Sequence, residues 1–185
     1  MDDNGLKWEI NSTKTLLHTP VFDVTEQNET AANGIKDDYV AMKAPDWAMV
    51  IAQLDDSFIL VRQWRHASEK LTLEFPRGVV DSDEEPADAA RRELLEETGF
   101  EAGELIHLGS VSPNPALFKN RFHVFLARKL RATGDQKLDD DELLTYETMP
   151  VNEVIERYGG EMFDHALMGT ALALYLKMSF NKQPS

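Results

Sequence analysis

The most constraining feature of this chain is residues 71–99, where a strand, a tight loop and a helix follow one another with both helix ends marked. Residues 71–75 favour an extended backbone and stop at Pro76-Arg77-Gly78. Proline lacks the donor that a ladder needs and glycine frees the backbone, so a loop is expected from that point. After an acidic stretch, Pro86 suits the first turn of a helix and Gly99 the position that ends it. A strand handed on to a helix in this way predicts layered packing, with helices laid on a sheet.

Three glutamates lie on that helix. At about 100° per residue, setting Glu93 at 0° puts Glu97 near +40° and Glu96 near −60°, one acidic arc. Ala87, Ala90, Leu94 and Thr98 fall beside it as an apolar stripe that seats the helix on a core. Carboxylates three and four residues apart repel by roughly 0.2 to 0.5 kcal/mol a pair. Arg92, four before Glu96, offsets part of this. Two readings follow from the residues alone. A hard divalent cation would turn the repulsion into coordination, because such ions take carboxylate oxygens. The other reading is a solvated acidic face on an acidic protein.

With 185 residues the chain is one ordinary domain, or one domain with a short appendage. Trp47–Leu54 and residues 57–64 are β-rich runs on either side of Asp55-Asp56, which reads as a hairpin. Further strands are expected at 105–111, 121–128 and 143–149, helices at 151–158 and 164–178, and an N-terminal sheet from 19–29 and 39–43. Strands bracketing helices give the α/β (α+β) class.

Nineteen Lys+Arg against 33 Asp+Glu leave a net charge of −14, which repels a phosphate backbone and argues against nucleic acid as a partner. A small phosphorylated ligand is compatible, provided a metal ion or a few arginines neutralise it. The absence of cysteine removes disulfides and thiolate chemistry and fits a reducing cytoplasm. The start, Met1-Asp2-Asp3, is acidic where a signal peptide would be basic. The apolar residues 166–180 fall short of the roughly 20 needed for a membrane crossing. A cytoplasmic protein without a membrane partner is therefore expected.

Gly78, five residues, Glu84, seven residues and then Arg92-Glu93-Leu94-Leu95-Glu96-Glu97-Thr98-Gly99-Phe100 make one ordered pattern. It resembles the box of the Nudix family, a 23-residue signature whose fixed positions are all filled here, within the strand, loop and helix context the motif requires. The resemblance implies an α/β/α sandwich with a mixed β-sheet and an N-terminal β segment. It also implies Mg²⁺- or Mn²⁺-dependent hydrolysis of a nucleoside diphosphate linked to another group. Glu93 and Glu97 become metal ligands, Glu96 a further ligand or a base, and the carbonyl of Arg77 the contribution of the loop at Gly78. Glu84 either organises that loop or complements the positive end of the helix. Arg92 orients Glu96, and Gly99 closes the motif. Besides Glu96 and Glu97, a base is available in the acidic run Asp139, Asp140, Asp141 and Glu142. Glu142 is preferred because it directly precedes an apparent strand; a polar turn is the alternative.

Beyond the box, residues 8–177 resemble ADP-ribose pyrophosphatase-like members of that family. The runs that carry this are Ala44-Pro45-Asp46-Trp47, Val61-Arg62-Gln63-Trp64-Arg65 and Leu73-Glu74-Phe75-Pro76-Arg77-Gly78. This resemblance implies Arg65 and Glu74 as substrate contacts. Pro115, sixteen residues after Gly99, matches a proline typical of ADP-ribose hydrolases. It further implies residues 1–43 as a dimerising β segment, 44–185 as the hydrolase domain, and a homodimer. ADP-ribose is the substrate expected first. The alternatives are the same chemistry on a GDP-sugar, dinucleotide or nucleoside triphosphate, or a non-catalytic nucleotide sensor, which the intact box carboxylates disfavour. His107, His123 and His165 show no paired spacing and read as structural.

Overall fold

The computed structural model describes residues 3–134, 136–138 and 142–180, and the chain divides into two compact units. The first joins Met1–Pro45 to Ser112–Arg121, and the second comprises Asp46–Val111 and Phe122–Ser185.

The first unit is built on an antiparallel sheet of β1 (Trp8–His18), β2 (Asp23–Ala31) and β3 (Lys36–Lys43). The sequence pattern predicts only two strands here. All of β1 is exposed, so no alternation of buried and exposed side chains marks it. Gly34, at φ 88°, makes the left-handed turn into β3 that a side chain resists. At the end of β3, the Met42 N–H donates to the Leu117 carbonyl (2.7 Å) and its carbonyl accepts from Lys119 (3.0 Å). Asn120 Nδ2 donates to the Pro45 carbonyl at 2.8 Å. These bonds attach the Ser112–Arg121 segment, and Pro115 within it, to the N-terminal sheet.

The second unit holds a mixed seven-stranded sheet with the central order β10-β5-β4-β9-β8. Its strands are β4 (Trp47–Leu54), β5 (Ser57–Arg65), β6 (Lys70–Glu74), β7 (Arg77–Val79), β8 (Phe100–Val111), β9 (Phe122–Ala132) and β10 (Leu144–Pro150). β6 pairs with β5, β7 pairs with β4, and β4 runs parallel to β9. Two cores flank the sheet. Met49, Ile51, Phe58, Leu60 and Val124 pack with Val154 of α2 (Val151–Arg157) and with Met168 and Leu172 of α3 (Ala166–Phe180). Ala48, Val50, Ile59 and Phe125 pack with Ala89, Ala90 and Leu94 of α1 (Pro86–Thr98). Burial on both faces is why β4 reads as a nearly continuous apolar run. The result is the expected α/β/α sandwich with a mixed sheet.

Two expectations are corrected. The loop at Pro76-Arg77-Gly78 is instead β7, with Gly78 opposite Ala48 and Arg77 opposite Met49. Proline withholds a donor but keeps its acceptor, and the Pro76 carbonyl takes the Val50 N–H at 2.8 Å, so pairing resumes at once. β8 begins at Phe100, five residues before the expected start, because Gly103 is required there rather than disruptive: a Cβ would lie 2.8 Å from the Lys129 carbonyl oxygen. α1 matches its sequence signals, with Pro86 in its first turn and Gly99 at φ 70° donating its N–H to the Leu95 carbonyl. Among the described residues, no helix is long and apolar enough to cross a membrane.

Candidate active site

β7 packs beside α1, and this contact assembles the carboxylates. Glu93 is 8% exposed and Glu97 2% exposed, so the acidic arc is not a solvated face. The Arg77 main-chain N–H leaves the ladder to donate to Glu97 Oε2 at 3.1 Å. Arg92 gathers the rest. Its Nε and Nη2 donate to the two oxygens of Glu84 (3.0 and 2.9 Å), and its Nη1 donates to Glu93 Oε1 (2.8 Å) and Glu96 Oε2 (3.1 Å). Nη2 also donates to the Val79 carbonyl at 3.0 Å, which ties the guanidinium to β7. Glu84 is thus the near partner of Arg92, and that hydrogen bond holds its carboxyl below the usual range.

The electrostatics are unbalanced. Burial pushes the Glu97 carboxyl well above the ordinary carboxylate range; Glu93 and Glu142 add to the rise, and Arg77 opposes it only in part. Burial raises Glu93 too, against the hydrogen bond and charge of Arg92. Two buried carboxylates with too little positive charge between them are a hard-oxygen donor set. Among the described residues, no three His, Cys, Asp or Glu side chains already converge as ligands. The residues fit a divalent cation in the chemistry of their donors, two buried carboxylates short of positive charge. Gly78 leaves open the place where a Cβ would overlap Glu93 Oε1 and Cδ. Its φ is not in the left-handed region, so room rather than backbone freedom makes glycine necessary. Gly78→Ala is therefore expected to keep the fold, since only the end of one side chain must move. It should weaken divalent-cation affinity by about 10- to 100-fold, the usual effect of displacing a ligand. Titration calorimetry with Mn²⁺ checks this.

A second cluster is joined to the first through Arg77. Glu74, fully buried, accepts from Arg65 Nε (2.8 Å) and Thr72 Oγ1 (2.7 Å) on Oε1, and from Arg65 Nη2 (2.7 Å) and Arg77 Nε (3.1 Å) on Oε2. Burial alone would raise its pKa, but the Arg65 hydrogen bond and the charges of Arg77 and Arg65 overcome this and hold it at about 2. His165 Nε2 stands 3.3 Å from Arg77 Nη2 and 3.8 Å from Glu74 Oε2. Burial lowers its pKa, so a neutral ring accepts from Arg77. Read as structural from sequence, His165 gave no signal there because its partner Arg77 is 88 residues away. On its outer side Arg65 lines a cavity of about 350 Å³ with His66, Ser68, Lys70, Thr72 and His165.

The structure therefore brings together Arg65, Glu74, Arg77, Gly78, Glu84, Arg92, Glu93, Glu96 and Glu97, with Gly99 ending the helix that carries the last four. Glu142 is near enough for its charge to act on Glu93 and Glu97. Asp139, Asp140 and Asp141 lie outside the described residues. Pro115 is exposed in the first unit.

The chain as a whole is similar to known proteins. The family described as "NUDIX domain" matches residues 42–168. The chain is 28% identical over 167 residues to the "ADP compounds hydrolase NudE" of Escherichia coli (strain K12), covering 89% of each protein. It is 32% identical over 126 residues to an "ADP-ribose pyrophosphatase" of Bacillus subtilis (strain 168), covering 67% of this chain and 68% of that one. A crystal structure of an ADP compounds hydrolase superposes with a TM-score of 0.84 at 27% identity, covering 95% of this chain and 96% of the other.

Proposed function

The chain belongs to the NUDIX family and is a pyrophosphohydrolase of that kind, and from this premise we propose that it splits ADP-ribose or a related nucleotide sugar into two phosphate monoesters. We take its cation to be Mg²⁺ or Mn²⁺, held by Glu93, Glu96, Glu97 and the Arg77 carbonyl. The observation that carries this reading is the buried pair Glu93 and Glu97, deficient in positive charge, with the Glu93 carboxyl seated where Gly78 has no Cβ.

A pyrophosphate resists water because its negative oxygens repel a nucleophile. When bound, a divalent cation neutralises those oxygens and makes water more acidic. The chain's own residues supply the remainder. Arg92 fixes Glu93 and Glu96 in orientation and holds Glu84 as its own closest partner. Glu142 serves as the general base: a carboxylate oxygen takes a proton from the attacking water as the bond between phosphorus and the bridging oxygen breaks. Arg65, held flat by its two bonds to Glu74, offers its cavity side to a substrate phosphate, so Glu74 reaches substrate through Arg65. Pro115, in the first unit, belongs to a rigid turn.

ADP-ribose is expected to be cleaved to AMP and ribose 5-phosphate in preference to GDP-mannose and deoxynucleoside triphosphates. A substrate panel read by phosphate-ester release checks this, and equal rates across the panel would discard ADP-ribose as the substrate. The net charge of −14 and the absence of cysteine support a small-molecule substrate, with no nucleic acid or membrane partner, in the cytoplasm. Residues 1–43 form the dimer contact, supported by Trp8, Ile10, Leu17 and Val40, which are exposed on the three-stranded sheet. Light scattering at micromolar concentration should give about twice 20.9 kDa; the monomer mass would reject the dimer.

A further inference from the structure

The last carbonyls of an α-helix have no donor within the helix, so what satisfies them is a structural decision. In α1 the Leu95 carbonyl takes the Gly99 N–H at 2.8 Å. The next two belong to Glu96 and Glu97, and both are served from the segment that follows β9. The Lys137 N–H donates to the Glu96 carbonyl at 3.1 Å, and Gln136 Nε2 donates to the Glu97 carbonyl at 2.5 Å. Thr133 adds its N–H (2.8 Å) and Oγ1 (2.9 Å) to the Gly99 carbonyl. The segment is thus bonded to the main chain of two of the three residues whose carboxylates form the candidate site. Glu142 follows Lys137 by five residues, and β10 takes up the chain at Leu144, opposite Gln63 of β5. Lys137, before Glu142 in the sequence, is thus bonded to α1, and Leu144, after it, is paired with β5.

We propose that Gln136 is a positioning residue for hydrolysis: by capping the Glu97 carbonyl with its side-chain amide, it fixes where Glu142 meets the carboxylate site. The inference rests on Glu142 serving as the base. A side chain was needed at this point because the Lys137 N–H already serves Glu96 and the Thr133 N–H already serves Gly99. Gln136 is exposed and its side-chain amide bonds the Glu97 main-chain carbonyl rather than the carboxylate, so its removal separates positioning from ligation.

The test is a kinetic cycle on the full chain. Gln136→Ala should lower kcat about 10-fold while the KM for ADP-ribose and the Mn²⁺ affinity stay within twofold, the size expected for losing a group that orients another. Gln136→Lys, which keeps a donor of similar reach beside a helix C-terminus, should restore most of the rate. Gln136→Glu, of the same shape but with no donor, should not. In a Glu142→Gln background, Gln136→Ala should cause no further loss. An unchanged kcat in Gln136→Ala, or the same 10-fold loss in both backgrounds, overturns the positioning role while leaving Glu142 as the base. A Glu142→Gln variant with wild-type kcat overturns the role of Glu142 itself, and the positioning role falls with it.

Discussion

Glu97→Gln is expected to lose hydrolysis and, without metal, to melt higher than the wild type. The amide has the volume of the carboxylate and its oxygen can still accept the Arg77 N–H, which now bonds Glu97 Oε2 at 3.1 Å, so the packing is preserved. What disappears is a charge that burial and Glu93 both disfavour. Removing it relieves the metal-free protein, and a gain of about 1 kcal/mol would raise the melting temperature by roughly 2 to 4 °C in a chain of this size. The sign with pH is fixed. A carboxyl whose pKa is raised on folding binds a proton the unfolded chain has already released, so wild-type stability falls as pH rises above about 4.5, the ordinary value. The advantage of the amide should widen in that direction. Catalysis moves oppositely: kcat should fall by on the order of 10³, as when one electrostatic group is withdrawn from a developing charge. Mn²⁺ at 100 times its dissociation constant stabilises the wild type by about 2.7 kcal/mol and should do little for the variant. Scanning calorimetry with and without Mn²⁺, beside an activity assay, checks all three. A variant that hydrolyses normally would refute the role of Glu97, and one that melts lower would refute the account of its burial.

That Glu97 shares an acidic arc with Glu93 and Glu96 was legible because helical periodicity is local and holds whatever lies around them. Their burial was not legible from the arc, since it depends on β7 packing beside α1, and β7 was itself hidden behind a proline that normally ends a strand. The layered fold could be read from alternating strand and helix texture, and β4 and β5 were placed within a residue of where they occur. β1 could not, because exposure on every side erases the period on which strand reading depends. The segment Ser112–Arg121 shows the same limit. Its attachment to the N-terminal sheet runs through main-chain bonds at Met42, and main-chain bonds leave no trace in side-chain composition. Long-range pairs are harder still. The bond from Gln136 to the Glu97 carbonyl spans 39 residues, and a polar residue in a polar loop carries no mark of it.

Glu74→Leu is expected to be the most destabilising single change in this region, and the reason is what it leaves behind. Arg65 and Arg77 would remain beside a buried apolar side chain, with Glu74, their shared counter-charge, gone. Removing one partner from a buried ionic cluster typically costs about 3 to 5 kcal/mol, which corresponds to a melting temperature lower by roughly 10 °C in a chain of this length. Glu74→Gln should cost less, since the amide oxygen keeps one acceptor, but it returns no charge. The pH dependence separates the charge from the packing. Glu74 has its pKa lowered to about 2 from 4.5, so its electrostatic contribution is fully present above about pH 4.5 and disappears as pH falls towards 2. The stability gap between wild type and Glu74→Gln should therefore be flat from pH 5 to 8 and shrink on acidification, by at most about 3.5 kcal/mol at 1.4 kcal/mol per unit. Function should suffer in two places, because the same carboxylate holds the arginine facing the cavity and the residue whose main chain meets Glu97. Denaturant melts across that pH range measure the gap, and a gap that stayed constant down to pH 2 would mean Glu74 contributes through packing rather than through its charge.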